Sequence, residues 1–296
     1  MGKVHRVVVC TDFTAGSEAA LARGLQLAQE HSAVLDLLHA FDTGVLRRLG
    51  AVFDARRLSG EVPPDVTRRE ELKRAARQLV DRTGVDVQPC FGAGDPAAAL
   101  EAHVRTHHPA VAVLGKRADP DAPGVGSTLM RVLRGVSCPV LIVRARAGST
   151  GPEPAYRRVL CAVDLREVAT RAAAAALGLF PRAEHRLLTV VDPRWERALW
   201  PSGEAPGTPS PPSIRDEAAQ RLDALAAQLS LGGGATPSTE VGDGVRARVL
   251  IDRAAAWPAD CIVVGRHGQG LLAERWLGST TLDLIHHGGR DLLVVS

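Results

Sequence analysis

Two stretches of this chain recur at one spacing, and that recurrence limits the possible folds more than any other feature. Val7-Val8-Val9-Cys10-Thr11-Asp12 is echoed by Val159-Leu160-Cys161-Ala162-Val163-Asp164, with Asp12 and Asp164 lying 152 residues apart. Gly126-Ser127-Thr128 is echoed by Gly278-Ser279-Thr280 at the same offset. Two distinct landmarks at a single offset mark a duplication. A chain of 296 residues is long enough for two domains of about 150 each. Small residues and proline dominate Ala147–Tyr156, so the reading is domain 1 over 1–146, a linker over 147–156 and domain 2 over 157–296.

Each half alternates short aliphatic runs with helical patterns, which points to βα units and a parallel sheet. The runs of the first half are 6–11, 33–40, 85–90, 110–115 and 139–144. Their counterparts are 157–163, 186–192, 237–241, 260–265 and 291–295. Helices are expected over Ser17–Glu30, Pro96–Thr106, Thr170–Leu179, Ser213–Ser230 and Ala247–Ala256. Thr67-Arg68-Arg69-Glu70 has the form of a capping box and is read as opening a helix through Arg82. Aromatic residues make up only 3% of the chain, so Val, Leu, Ile and Ala must build the cores. That suits strands covered by helices on both faces.

The net charge is only +3, and basic residues are interspersed with acids, as in Arg68-Arg69-Glu70-Glu71. A nucleic-acid binder would gather its positive charge on one face, so no nucleic-acid partner is expected. Five cysteines form no C-x-x-C pair, and Cys10, Cys161 and Cys261 lie within or beside aliphatic runs as reduced core residues do. No run approaches the about 18 apolar residues of a membrane span, and the start MGKVHRVVVCTD enters a strand directly. A cytoplasmic protein without a membrane partner is expected.

The chemistry is concentrated at Gly265-Arg266-His267-Gly268 and, after nine further residues, Gly278-Ser279-Thr280-Thr281. Glycines at the end of a strand let the backbone turn tightly and present N–H groups to a ligand. The second segment opens a helix, whose N-terminus favours phosphate. Two bland readings compete. Gly265 and Gly268 could form a plain turn, and Ser279 and Thr280 could serve only as helix caps. Asp12 and Asp164 likewise either cap a βα loop or face a ribose at the carboxyl ends of the strands.

With these marks on the page, the sequence resembles the universal stress protein family, whose nucleotide-binding members share G-x2-G-x9-G-[S/T]. Gly265, Gly268, Gly278 and Ser279 match that pattern residue for residue. The strand ending in Asp164 and the final strand Ser137-Cys138-Pro139-Val140-Leu141-Ile142-Val143 fit as well. The resemblance implies an α/β fold: two tandem doubly wound, Rossmann-like domains, each with a five-stranded parallel sheet of order 3-2-1-4-5. It implies ATP or a related adenine nucleotide, with Mg2+ as companion ion, held mainly in domain 2. Adenine and ribose would lie near Ala162, Asp164, Val190 and Val191. His267 and Gly268 would meet ribose or phosphates, and Gly278, Ser279, Thr280 and Thr281 the phosphates. It further implies a pseudo-dimer formed through strands 139–144 and 291–295, and it leaves open a homodimer of whole chains.

The first half departs from the motif. Gly115-Lys116-Arg117-Ala118 lacks the second glycine, and only seven residues, including Pro120 and Pro123, precede Gly126. The first site is therefore expected to be weak or empty. After Asp164 come Leu165-Arg166-Glu167, whereas domain 1 keeps Thr14 and Ser17 in the corresponding region. Pro201–Pro212 reads as a loop, either an inert insertion or a lid, and Trp195 and Trp200 flank it.

His103 and His107 are four apart on a helix, which is metal-ligand spacing. No carboxylate or cysteine adjoins them in sequence, so they are read as a solvated face and no metal site is expected. His39 is read as a satisfied crevice residue, and His286-His287 as favoured by a helix end. The chain has no G-x-x-x-x-G-K-[ST], G-x-S-x-G or zinc-protease motif. The function read from sequence is therefore a nucleotide-binding stress regulator that switches partners or oligomeric state, not an enzyme. The alternative is a tandem scaffold that binds no nucleotide and keeps a residual motif.

Overall fold

The computed structural model describes residues 4–41, 64–116, 126–145, 153–165, 167–191, 213–231, 235–266 and 277–296. The chain divides into two compact units between Pro154 and Ala155.

The first unit runs β1 (Arg6–Cys10), α1 (Ala15–His31), β2 (Val34–Phe41), α2 (Pro64–Thr83), β3 (Val87–Ala93), α3 (Pro96–His107), β4 (Val111–Lys116), α4 (Ser127–Gly135) and β5 (Val140–Arg144). The second runs β6 (Arg158–Ala162), α5 (Glu167–Leu179), β7 (Glu184–Val191), α6 (Ile214–Ser230), β8 (Ser238–Asp243), α7 (Arg246–Ala256), β9 (Cys261–Gly265), α8 (Ser279–His287) and β10 (Asp291–Val295). In the first unit β2 pairs with β1 and β3, and β4 with β1 and β5, all parallel. In the second, β7 pairs with β6 and β8, and β9 with β6 and β10, again all parallel. Each domain thus has the order 3-2-1-4-5 that the resemblance implied.

The strands form where aliphatic residues are continuous, because both faces of a parallel sheet are covered. Val7, Val8 and Val9 of β1 are fully buried, as are Val159 and Leu160 of β6. Burial pushes the thiols of Cys10 and Cys161 up to about 12, so both stay protonated, and Cys161 and Cys261 pack as small core residues. The helices begin where caps allow. The Asp95 carboxylate accepts from the Ala97 and Ala98 amides, with Pro96 at the first helical position of α3. The Ser213 hydroxyl accepts from the Asp216 amide at the start of α6.

One expected boundary is corrected. α2 begins at Pro64, so Thr67 lies inside the helix and is not its cap. Proline's fixed φ and missing N–H suit the first helical turn, and it outranks the Thr-x-x-Glu pattern as a start signal here. Among the described residues no helix is long and apolar enough to cross a membrane. Pro201–Pro212, Trp195, Trp200 and the 119–125 loop lie outside the described residues.

Domain 2 contains a buried titratable group whose effect on stability can be measured. His185, on β7, is 6% exposed, and burial holds its pKa below the usual 6.5. The native state therefore disfavours the protonated ring. The stabilisation is present above the unfolded value and is lost as pH falls below it. Urea midpoints should fall between pH 7.5 and pH 5.5, and His185→Leu should flatten that part of the slope.

Candidate functional site

In an open parallel sheet the connections on either side of the first strand leave in opposite directions, opening a crevice at the strands' carboxyl ends. In domain 2 that point lies between β6 and β9. A cavity of about 300 Å3 occupies it. This is the lower end of the range for small-ligand sites, about 300–1,000 Å3.

Each wall comes from one element. Ala162, Val163, Asp164 and Leu165 follow or end β6, and Leu188, Thr189, Val190 and Val191 belong to the end of β7. Val264 and Gly265 end β9, followed by Arg266, while Gly278, Thr280 and Thr281 come from the start of α8. Ile214, Glu217, Ala218 and Arg221 of α6 and Arg246 and Leu250 of α7 close the remaining sides. Leu188, Leu250, Val163 and Val264 are buried and form an apolar floor. Three guanidinium groups (Arg221, Arg246, Arg266) line the cavity against two carboxylates (Asp164, Glu217), and Glu217 is paired with Arg221. The excess is cationic. Burial holds the Arg266 pKa below its ordinary value, as expected for a charge drawn partly out of water.

The turn after β6 is strained. Leu165 lies at φ 60, the left-handed region that a branched side chain enters at a cost of about 1–2 kcal/mol. Phe13, its counterpart in domain 1, also lies at φ 60. The same backbone kink therefore recurs in both halves and sets the side chain of residue 13 or 165 over the end of the first strand.

Two helix N-termini meet the cavity. Gly278 caps α8 without a side-chain bond, and Val245 caps α7 in extended conformation, also without one. The opening amides of both helices thus receive no cap from their own N-cap side chain, and these are the groups an anion would use. Gly278 itself has an ordinary backbone (φ −62, ψ 149), and a Cβ there would meet nothing within 4 Å. Neither its conformation nor packing by the described residues requires glycine at this position. Its missing side chain leaves space in the cavity wall.

Domain 1 places bulkier groups at the corresponding points. The strand register matches Phe13 with Leu165, His39 with Thr189 and Phe41 with Val191. Phe13 and His39 have ring centroids 5.0 Å apart, His39 and Phe41 4.8 Å, and Phe41 and Phe91 6.0 Å. The Arg69 guanidinium lies 4.9 Å from the Phe91 centroid and 5.3 Å from that of Phe41. His39 Nδ1 also bonds the Thr11 carbonyl at 2.7 Å, making it the satisfied crevice residue expected from its strand position. The helix N-terminus matching that of α7 is capped by Asp95, which also pairs with Arg131 at 2.5 Å. Asp12 accepts from the Thr14 amide and hydroxyl, a loop-capping role, and the Thr14 amide donates to Ser17 Oγ at 3.1 Å.

Of the residues singled out by sequence, Ala162, Asp164, Val190, Val191, Gly265, Gly278, Thr280 and Thr281 all line the cavity. Ser279 is exposed and does not, while His267 and Gly268 lie outside the described residues. Sequence reasoning missed Thr189, Arg221, Arg246, Leu250 and Arg266. Arg246 had a usable signal, since it opens the helix after a strand's carboxyl end. Arg221 is one of several charges on the polar face of α6 and had none.

Fold and cavity together define a duplicated, doubly wound α/β architecture with a crevice at the carboxyl ends of its strands. The universal stress protein family model matches residues 3–144 and again 155–296, so the chain belongs to that family. A universal stress protein from Archaeoglobus fulgidus DSM 4304 is 17% identical, with 100% of this chain and 99% of that one covered and a TM-score of 0.74. A functionally unknown protein from Pseudomonas aeruginosa PAO1 is 15% identical, covering 99% and 92%, with a TM-score of 0.63. At such identities the likeness is one of fold. No curated protein matches the chain.

The spare room at Gly278 can be tested without any ligand. Gly278→Ala should cost less than about 1 kcal/mol in urea denaturation, the loss of a glycine cap alone. A larger loss would mean that the position is packed by the protein itself.

Proposed function

We propose that domain 2 binds ATP or a related adenine nucleotide in the cavity between β6 and β9. The observation that carries this reading is one cavity that joins an apolar wall to cationic groups and two helix N-termini without side-chain caps. An adenine ring suits the surface of Ala162, Leu188, Val190 and Val191, while the Asp164 carboxylate can accept from ribose hydroxyls. Phosphates suit the Gly265 and Gly278 backbone, the Thr280 and Thr281 hydroxyls, and the charges of Arg246 and Arg266. The Ser279 amide belongs to the same helix start, and His267 and Gly268 complete the motif in sequence. Mg2+ would accompany the triphosphate, neutralising charge that three arginines do not cover.

The proposed role is regulatory: occupancy changes partners or oligomeric state, with no turnover required of the site. Domain 1 carries the duplicated frame with the rings of Phe13, His39 and Phe41 at the matching positions. Docking of the two domains through 139–144 and 291–295, and pairing of whole chains, belong to the same proposal.

The test uses the full chain. Nucleotide released from purified protein is identified by mass spectrometry, and ATP affinity is then measured by equilibrium dialysis. Gly278→Val should weaken ATP by at least about tenfold, equivalent to about 1.4 kcal/mol, by filling the cradle. Arg246→Glu should also weaken it, more at low salt than at high salt. Phe13→Leu in domain 1 should leave it unchanged. A folded wild type that neither carries nor takes up adenine nucleotide removes this reading and leaves the tandem scaffold.

A further inference from the structure

A second constellation lies in domain 1, well away in sequence from the glycine motif. Asp36 stands in the middle of β2 and is fully buried, an unusual place for a carboxylate. Its Oδ2 lies 2.7 Å from Nε2 of His103, on α3, and its Oδ1 accepts from the Arg6 guanidinium. Cys90, on β3, pairs in register with Leu38, two residues from Asp36 and therefore on the same face of the sheet. A carboxylate oxygen of Asp36, the Cys90 sulfur and a ring nitrogen of His103 all lie within 4.8 Å of one another. His107, one helical turn on, has its ring centroid 4.4 Å from that of His103.

This corrects the sequence-based reading for His103, while His107 is exposed as that reading expected. His103 is 9% exposed, so it is not on a solvated face. The carboxylate and the thiol that sequence did not supply nearby arrive from neighbouring parallel strands.

The duplication provides an internal control. The positions of Asp36, Cys90 and His103 are taken in domain 2 by Arg186, Glu240 and Arg253. There Glu240 bridges Arg186 at 3.2 Å and Arg253 at 2.9 Å, and Arg186 lies 4.3 Å over the Trp257 ring. A strand–strand–helix tie at this point therefore needs only a charge pair. Domain 1 has replaced all three of its members with residues that ligate metals. His107 stands where domain 2 has Trp257.

We propose that Asp36, Cys90 and His103 form a site for a zinc-like divalent ion that staples β2, β3 and α3 of domain 1. With bonds of about 2.0–2.3 Å, a tetrahedral ion holds N, O and S ligands at mutual distances that these three side chains reach by small rotamer changes. Binding expels the Cys90 thiol proton to solvent, shifts the His103 ring proton from Nε2 to Nδ1, and replaces the direct Asp36–His103 contact with two metal bonds. Arg6, on the other carboxylate oxygen, becomes the outer group that fixes the ligand's orientation. Two anionic ligands and a neutral imidazole favour a zinc-like ion over Mg2+ or Ca2+, which take oxygen shells. The fourth position is open to water or to the nearby His107.

The experiment uses full-length, chelator-treated protein titrated with Co2+ and then Zn2+. One Co2+ per chain should bind with a thiolate-to-cobalt charge-transfer band, Zn2+ should displace it, and Zn2+ should raise the thermal midpoint. Cys90→Ser should abolish the band, and both it and His103→Gln should weaken Zn2+ by about tenfold or more. Glu240→Gln, in the matching cluster of domain 2, should change neither. A folded wild type, checked by circular dichroism, that takes up neither ion at stoichiometric concentration overturns the proposal. So does a charge-transfer band that persists in Cys90→Ser.

Discussion

The reversal of direction at the first strand of each sheet is the constraint on which the rest depends. Because β6 is flanked by β7 on one side and β9 on the other, the chain leaves their carboxyl ends towards opposite faces. Among the described residues, the strand ends, the turn after β6 and residues of α6, α7 and α8 surround the gap between those ends. The apolar floor, the strained turn at Leu165 and the two helix N-termini all gather there for that reason. None of them alone would make a site, and the sheet order makes them neighbours.

Duplication lets one frame carry two chemistries. Domain 2 keeps small side chains at Leu165, Thr189 and Val191 and leaves the start of α7 without a side-chain cap. Domain 1 sets Phe13, His39 and Phe41 at those positions and neutralises the matching helix start with Asp95. On the sheet face covered by α3 in domain 1 and α7 in domain 2 the contrast reverses. Domain 2 uses the Arg186–Glu240–Arg253 charge cluster, while domain 1 gathers Asp36, Cys90 and His103. The two halves have diverged by exchanging side chains on a retained backbone, down to the left-handed residue after the first strand.

Much of this was legible in the sequence because the informative signals are local. Aliphatic runs placed all ten described strands within about three residues, since a doubly covered strand has to be apolar along its whole length. The glycine spacing located Gly265, Gly278, Thr280 and Thr281 in the cavity wall, because a backbone cradle leaves its mark as absent side chains. What sequence could not show depends on register. Arg221 is one charge among many until α6 is placed over the sheet. His103 reads as surface until two parallel strands bring Asp36 and Cys90 beneath it. Thr67 misled because a capping pattern is a weaker signal than a proline three residues upstream.

The central claim is that each chain holds one nucleotide cavity, in the second domain. Calorimetric titration of the full chain with ATP tests it most directly. The account predicts a stoichiometry of one nucleotide per chain, governed by the cavity at β6 and β9. Two equivalents per chain, or none in a folded protein, would contradict it.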